Sequence, residues 1–189
     1  TGRSATQAAG QNNGVFQQVG DGEYTYTFSV KAPATIDPSA THSIGAYGSR
    51  NLNEFDLGVH YDDDVFNFVP NGSAIKVTRD VIKTATCNKC HDPLAIHGGS
   101  RRSMELCVLC HTPQTTDPDT GNTVDMKVMV HRIHAGSSLP SVKAGNPYII
   151  IGFQQSVHDY SKFAFPAAPG TSNCLACHRD SKAPENCNA

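Results

Sequence analysis

A chain of 189 residues with 38% hydrophobic and 17% charged residues is large enough for one domain or two small ones, and its make-up is that of an ordinary globular protein. A formal net charge of -2 lacks the basic footprint of a nucleic-acid binder. The longest apolar run, 148–153, is far too short to cross a bilayer. No secretory leader opens the sequence, which reads as a mature protein or an excised piece.

Residues 1–14 are small and polar with no hydrophobic period, and are expected to form a flexible linker. From 15 to 83 the signal is strand. Tyr24, Tyr26, Phe28 and Val30 alternate with Thr25, Thr27 and Ser29, the pattern of a half-buried strand. Leu57, Val59 and Tyr61 repeat the alternation, as do Phe66 and Phe68, and a strand over 74–78 would carry Ile75 and Val77 inward. Turn signals recur roughly every ten residues, at Pro33, Asp37-Pro38, 48–53 and Asp62-Asp63-Asp64, the last read as a solvated turn. This cadence predicts a β-sandwich or Greek-key-like domain that carries no chemistry of its own. Its His42 and His60 are expected to be packed or surface histidines.

After Thr84 the composition changes. Cys87-Asn88-Lys89-Cys90-His91 is followed by Cys107-Val108-Leu109-Cys110-His111 and later by Cys174-Leu175-Ala176-Cys177-His178. C-x-x-C-H is the attachment signature of a c-type haem: two thiols add across the porphyrin vinyl groups and the adjacent imidazole becomes an axial ligand. Three copies predict three covalent haems, on Cys87, Cys90, Cys107, Cys110, Cys174 and Cys177, with His91, His111 and His178 as proximal ligands. Cys87, Cys90, Cys107 and Cys110 alone would also fit a four-cysteine zinc ribbon. The histidine decides: with 9 histidines in the chain, finding one by chance after all three pairs has odds of about one in eight thousand. A ribbon also has no use for the third pair.

Segment 84–189 is thus expected to be a loop-rich, partly helical multihaem cytochrome c domain whose porphyrins supply the core, so that the haem-free chain is largely unfolded. The whole is a β plus irregular multihaem architecture. Covalent haem attachment implies an extracytoplasmic protein, in the periplasm or at the surface of a bacterium. Cys187 is left over from the three motifs and is expected either to begin a truncated fourth motif or to be an ordinary free thiol.

An iron held by two histidines is closed and suited to passing electrons; one held by a single histidine is open to substrate. His97, beside Gly98-Gly99, is the first candidate for a distal ligand, to a haem other than that of His91, because six residues cannot easily pass around the disc to its opposite face. His131 and His134 lie in a helical stretch that Asp125 would cap and Gly136 would stop. At i and i+3 they leave the helix about 60° apart and could reach two different irons. His158 is the substitute, or a ligand for a haem outside this chain. Met104, Met126 and Met129 are the competing thioether ligands, disfavoured where histidine is in surplus. Asp117 to Asp125 carries alternating oxygen ligands around Gly121, part of a calcium loop without its final glutamate, and is better read as a polar loop capping the next helix. Lys89, Arg101 and Arg102 could balance haem propionates or simply be solvated.

The run from Thr86 to Gly99, with Leu106 to His111, Met129 to His134 and Asn173 to His178, resembles the OmcA/MtrC family of outer-membrane decahaem cytochromes. The resemblance extends from about Thr41 to Arg179. It implies a β-rich domain before a multihaem domain, bis-histidine ligation through His97, His131 and His134, and a haem wire carrying respiratory electrons to extracellular acceptors such as Fe(III). Three motifs rather than ten imply a fragment whose partners are other redox proteins or haem domains of the same parent chain. Its start shows no lipid-anchor cysteine. The expected function is electron transfer rather than catalysis; the alternative is a multihaem oxidoreductase in which one iron keeps an open face.

Overall fold

The structure is a computed structural model and describes residues 8, 10–166 and 170–178. Part of the expected linker, and all of Cys187, lie outside the described residues.

The first pair of strands is a tight hairpin of β1 (Val15–Gly20) and β2 (Glu23–Thr27), closed at Gly22 with φ of 71°. Phe16 faces Tyr26 across it with ring centroids 4.6 Å apart, and Phe28 continues the cluster at 5.1 Å. Such cross-strand aromatic pairs are the unit that stabilises a two-stranded ribbon. The Tyr26 hydroxyl also accepts the Gly14 amide at 2.8 Å and the Gln11 side-chain amide at 3.3 Å, tying residues ahead of β1 to the hairpin.

The second hairpin, β3 (His42–Asn51) and β4 (Val59–Phe68), pairs without a slip from His42 opposite Phe68 to Asn51 opposite Val59. Here the structure corrects two expectations. Asp62-Asp63-Asp64 is not a turn but the middle of β4, which fuses the two short strands expected on either side. Strand geometry turns Asp62 and Asp64 to solvent and Asp63 inward, where its carboxylate meets donors. Residues 48–51 likewise belong to β3, and the real turn is 52–58, closed by left-handed Asp56 and Gly58 at φ of 56° and 70°. The strand expected over 74–78 does not form: its backbone finds no strand to pair with, and Ile75 and Val77 stay 46% and 73% exposed.

Among the described residues the sheets are three separate two-stranded ribbons. The expected β plus irregular architecture is there, its β part built of separate hairpins, of which β3–β4 packs on the cysteine-rich half. That half contains α1 (Thr84–Cys87), α2 (Met104–Cys110), α3 (Met126–Ala135), α4 (Pro140–Lys143), a short hairpin of β5 (Ile149–Ile151) and β6 (Val157–Asp159), and α5 (Cys174–His178). No described helix is long and apolar enough to cross a membrane.

The contact between the halves is close because Gly45 of β3 lies under α2. A Cβ there would run into Leu106 Cδ1 and stand 2.8 Å from Leu109 Cδ1. The apolar interior is thin: among the described residues the buried large apolar side chains are Val69, Met104, Leu106, Met126 and Tyr148.

Candidate metal centres

Each of the three C-x-x-C-H motifs has at least its first cysteine in a short helix. α1 opens the first motif at Cys87, α2 holds Cys107 and Cys110 with His111 as its C-cap, and α5 spans the third from Cys174 to His178. In every motif one cysteine is half-buried (Cys87, Cys107, Cys177) and the other exposed (Cys90, Cys110, Cys174). Burial pushes the Cys107 thiol up to about 11, helped by the negative charge of Asp63. Burial also raises Cys87 and Cys177, each helped by a cysteine of the other motif: Cys177 beside Cys87, and Cys90 beside Cys177.

The six histidines expected as ligands come together in three pairs, each joining one motif histidine to one distant one. His91 faces His134 with ring centroids 6.2 Å apart, His111 faces His97 at 6.0 Å, and His178 faces His131 at 6.1 Å. An imidazole–metal–imidazole unit has metal–nitrogen bonds of about 2 Å and about 1 Å more from each nitrogen to its ring centre, so it spans about 6 Å. All three pairs fit a bridging iron. The ring planes are nearly parallel in two, at 30° for His97–His111 and 19° for His131–His178, and perpendicular in His91–His134, at 89°.

The tautomers fit as well. His111 Nδ1 donates to the Val124 carbonyl at 2.8 Å, His131 Nδ1 to Lys127 O at 2.5 Å, His134 Nδ1 to Val130 O at 2.8 Å and His178 Nδ1 to Val81 O at 3.3 Å. A proton held on Nδ1 leaves Nε2 as the lone-pair nitrogen, which is the way ligating histidines are usually oriented. Burial, then the charges of Arg101 and His111, holds His97 below the ordinary imidazole range, favouring the neutral form that binds metal.

Local folding explains how the distant histidines get there. Asp125 caps α3 by accepting the Lys127 amide at 3.2 Å, and Gly136 ends it with φ of 42°. The helix then carries His131 and His134 one turn apart, toward two different partners. His97 sits at the tip of a loop closed by Ile96 and Arg101, whose amides and carbonyls bond each other at 3.0 and 3.3 Å. Three successive left-handed residues, His97, Gly98 and Gly99 at φ of 52°, 76° and 93°, make so tight a reversal achievable.

The remaining candidates go elsewhere. His158 bonds Ser156 Oγ at 3.0 Å and stacks on Tyr160; His42 bonds Asp37 O at 2.7 Å; among the described residues neither these nor His60 faces another imidazole. Met104 and Met126 are spent in the core. No described group of three or more His, Cys, Asp or Glu side chains is arranged to hold a metal ion by itself, so the four cysteines of the first two motifs do not gather as a zinc ribbon would require. Asp117 is buried with its carboxylate committed: it accepts from Asp119 N at 3.0 Å, Thr120 Oγ1 at 2.5 Å and Ile151 N at 2.9 Å. Arg101 and Arg102 are not simply solvated. Arg101 lies over the Tyr47 ring at 4.4 Å and donates to its hydroxyl at 2.9 Å; Arg102 lies over Tyr61 at 5.4 Å and donates to Gly99 O at 2.8 Å.

Comparison with known proteins follows the same residues. A family model described as outer membrane cytochrome MtrC/MtrF-like, domains II/IV, matches residues 79–188. The multiheme cytochrome MtrC of Shewanella baltica is 26% identical over 201 aligned residues, covering 87% of this chain and 29% of that protein. The crystal structure of the outer membrane decaheme cytochrome OmcA superposes with a TM-score of 0.69 at 31% identity, over 86% of this chain and 25% of that one. The crystal structure of MtrC from Shewanella baltica superposes at 0.52 with 22% identity, over 87% and 31% of the two chains, and speaks for the fold alone. This chain therefore spans less than a third of the length of these relatives. With the family model covering more than half of its residues, the chain belongs to the MtrC/MtrF-like outer membrane cytochrome family.

Proposed function

We propose that the chain is an electron-relay segment holding three covalent c-type haems, each iron clamped between two histidines. The observation that carries this reading is the set of three histidine pairs at 6.0–6.2 Å, every one of which combines a motif histidine with a distal one. Haem c supplies a one-electron ferric–ferrous couple when bound. The protein's part is to close both faces of each iron, so that little rearranges when an electron arrives, and to bring the centres together.

The connections between pairs support an order. His131 and His134, one helical turn apart on α3, tie the His178 centre to the His91 centre. His97, six residues after His91, reaches the His111 centre. The first motif in sequence is thus the middle member, flanked by the second and the third, and the influence of Cys177 on Cys87 and of Cys87 on Cys107 supports the same placement.

Membership in an outer membrane cytochrome family puts the chain outside the cytoplasm, at the cell surface. In the whole protein, we infer, the relay serves extracellular respiration, passing electrons through further haem domains to acceptors such as Fe(III). This segment acts as a carrier, and any reduction of a terminal acceptor belongs to the complete chain. A calcium ion at Asp117 to Asp125 has no support from the hydrogen bonds there, which spend the Asp117 carboxylate on protein donors.

The test is a haem assay joined to a redox-titrated optical spectrum of the purified chain. Three covalent haems with low-spin bands in both oxidation states support the relay; a high-spin fraction that binds carbon monoxide would favour an oxidoreductase with an open iron.

A further inference from the structure

The β3–β4 hairpin, expected to carry no chemistry, is built against both elements that bring in the His97–His111 pair. Its inner face presents Tyr47, Tyr61 and Asp63. Tyr47 receives Arg101, which closes the His97 loop, and Tyr61 lies under Arg102 and against Gly99 of the same loop. Asp63 takes the other element: its Oδ2 accepts the backbone amides of Arg102 at 2.8 Å and Ser103 at 2.9 Å, the two residues that lead into α2. Two further α2 amides are met by neutral groups, Met104 N by Thr84 Oγ1 at 2.9 Å and Leu106 N by Ser103 Oγ at 3.3 Å. Asp63 is therefore the charged member of the set that seats this helix.

That charge is close to the cofactor attachment. Ser103 to Cys107 is one turn of α2, a rise of about 6 Å, and the charge of Asp63 comes second only to burial in raising the Cys107 thiol. No cation stands within ion-pair distance of Asp63 among the described residues, where the ion pair is Lys83 with Asp80. The neighbouring guanidinium groups of Arg101 and Arg102 are committed to rings, a hydroxyl and a carbonyl. A partly buried carboxylate without an ion-pair partner beside a redox centre stabilises its more positive, oxidised state.

The geometry points to Asp63 as a positioning residue of the centre formed by Cys107, Cys110, His111 and His97, seating α2 and lowering the reduction potential of the haem carried there. This rests on the relay reading above and adds a residue outside the ligand set.

The experiment compares the haem-loaded wild type with Asp63→Asn, Asp63→Glu, Asp62→Asn and Asp64→Asn in a spectropotentiometric titration, with haem content and spin state measured alongside. Asp63→Asn keeps an acceptor for the two amides but loses the charge. It is expected to shift the oxidised-to-reduced ratio of one haem about tenfold toward reduced, equivalent to about 59 mV for one electron, with spectra still low-spin. Asp63→Glu keeps the charge and should keep the ratio within about threefold of wild type. The outward carboxylates Asp62 and Asp64 change net charge equally and should move no single haem by as much. Equal shifts in all Asn variants, or a shift in Asp63→Glu as large as in Asp63→Asn, would overturn the role of Asp63 alone. A wild type without covalent haem would overturn the relay reading as well.

Discussion

Replacing His131 by alanine isolates coordination from folding. The side chain is exposed, so little packing is lost. Its Nδ1 bond to the Lys127 carbonyl is worth about 0.5–1.5 kcal/mol, and the higher helix propensity of alanine returns up to about 0.7 kcal/mol. The helix should therefore survive within about 1 kcal/mol. In the proposed relay its effect on the metal is all-or-none: His178 loses the ring that faces it at 6.1 Å, while the other two pairs are untouched. Carbon monoxide added to the reduced variant should therefore bind to one haem in three. Asp125 and Gly136 still frame α3 in a His131→Ala, His134→Ala double variant, which should bind at two in three. His42→Ala, His60→Ala and His158→Ala should bind none. Uptake by His158→Ala, or none by His131→Ala, would refute the assigned pairs.

Other perturbations follow from the packing. Gly45→Val puts side-chain atoms where Leu106 and Leu109 already lie; overpacking of this kind costs about 1–3 kcal/mol, and denaturant unfolding of the haem-loaded chain should show it. Tyr148→Phe removes a buried hydroxyl with no hydrogen-bond partner among the described residues. It should be neutral or stabilising by up to about 1 kcal/mol, and a fall in Tm would contradict that. The Asp117 carboxyl is held below the ordinary range, first by the Ile151 amide and then by Thr120. A lowered folded pKa means its contribution is complete above the unfolded value of about 3.9 and is lost as pH falls through the folded one. Amide exchange at Ile151 should accelerate only below about pH 4; acceleration already near neutrality would point to another group.

The motifs were legible because attachment chemistry is local: five consecutive residues carry it, as do the cap Asp125 and the stop Gly136 around α3. Alternation likewise marked β2 and parts of β4. What the sequence could not show is non-local. Nothing in the order of residues says that His134 meets His91 while its neighbour one turn back meets His178, because that depends on how α3 lies across the two motifs. Asp62-Asp63-Asp64 looked like a solvated turn since composition favours one, yet ten paired residues in β4 hold it extended and turn only Asp63 inward. The rings that Arg101 and Arg102 lie over, Tyr47 and Tyr61, are not legible beside them because they stand far away in the sequence. The available signal was the inward phase of Tyr61, Asp63 and Val65 in one strand.

Low-temperature electron paramagnetic resonance of the oxidised, haem-loaded chain addresses the central claim most directly, because the low-spin ferric signal responds to the angle between two axial imidazoles. Planes at 30° and 19° for the His97–His111 and His131–His178 pairs, against 89° for His91–His134, predict two rhombic low-spin signals and one strongly anisotropic signal of equal weight, the last absent in His134→Ala. A high-spin ferric signal in the wild type, or a loss of the anisotropic signal in His97→Ala instead, would contradict the bis-histidine relay as drawn.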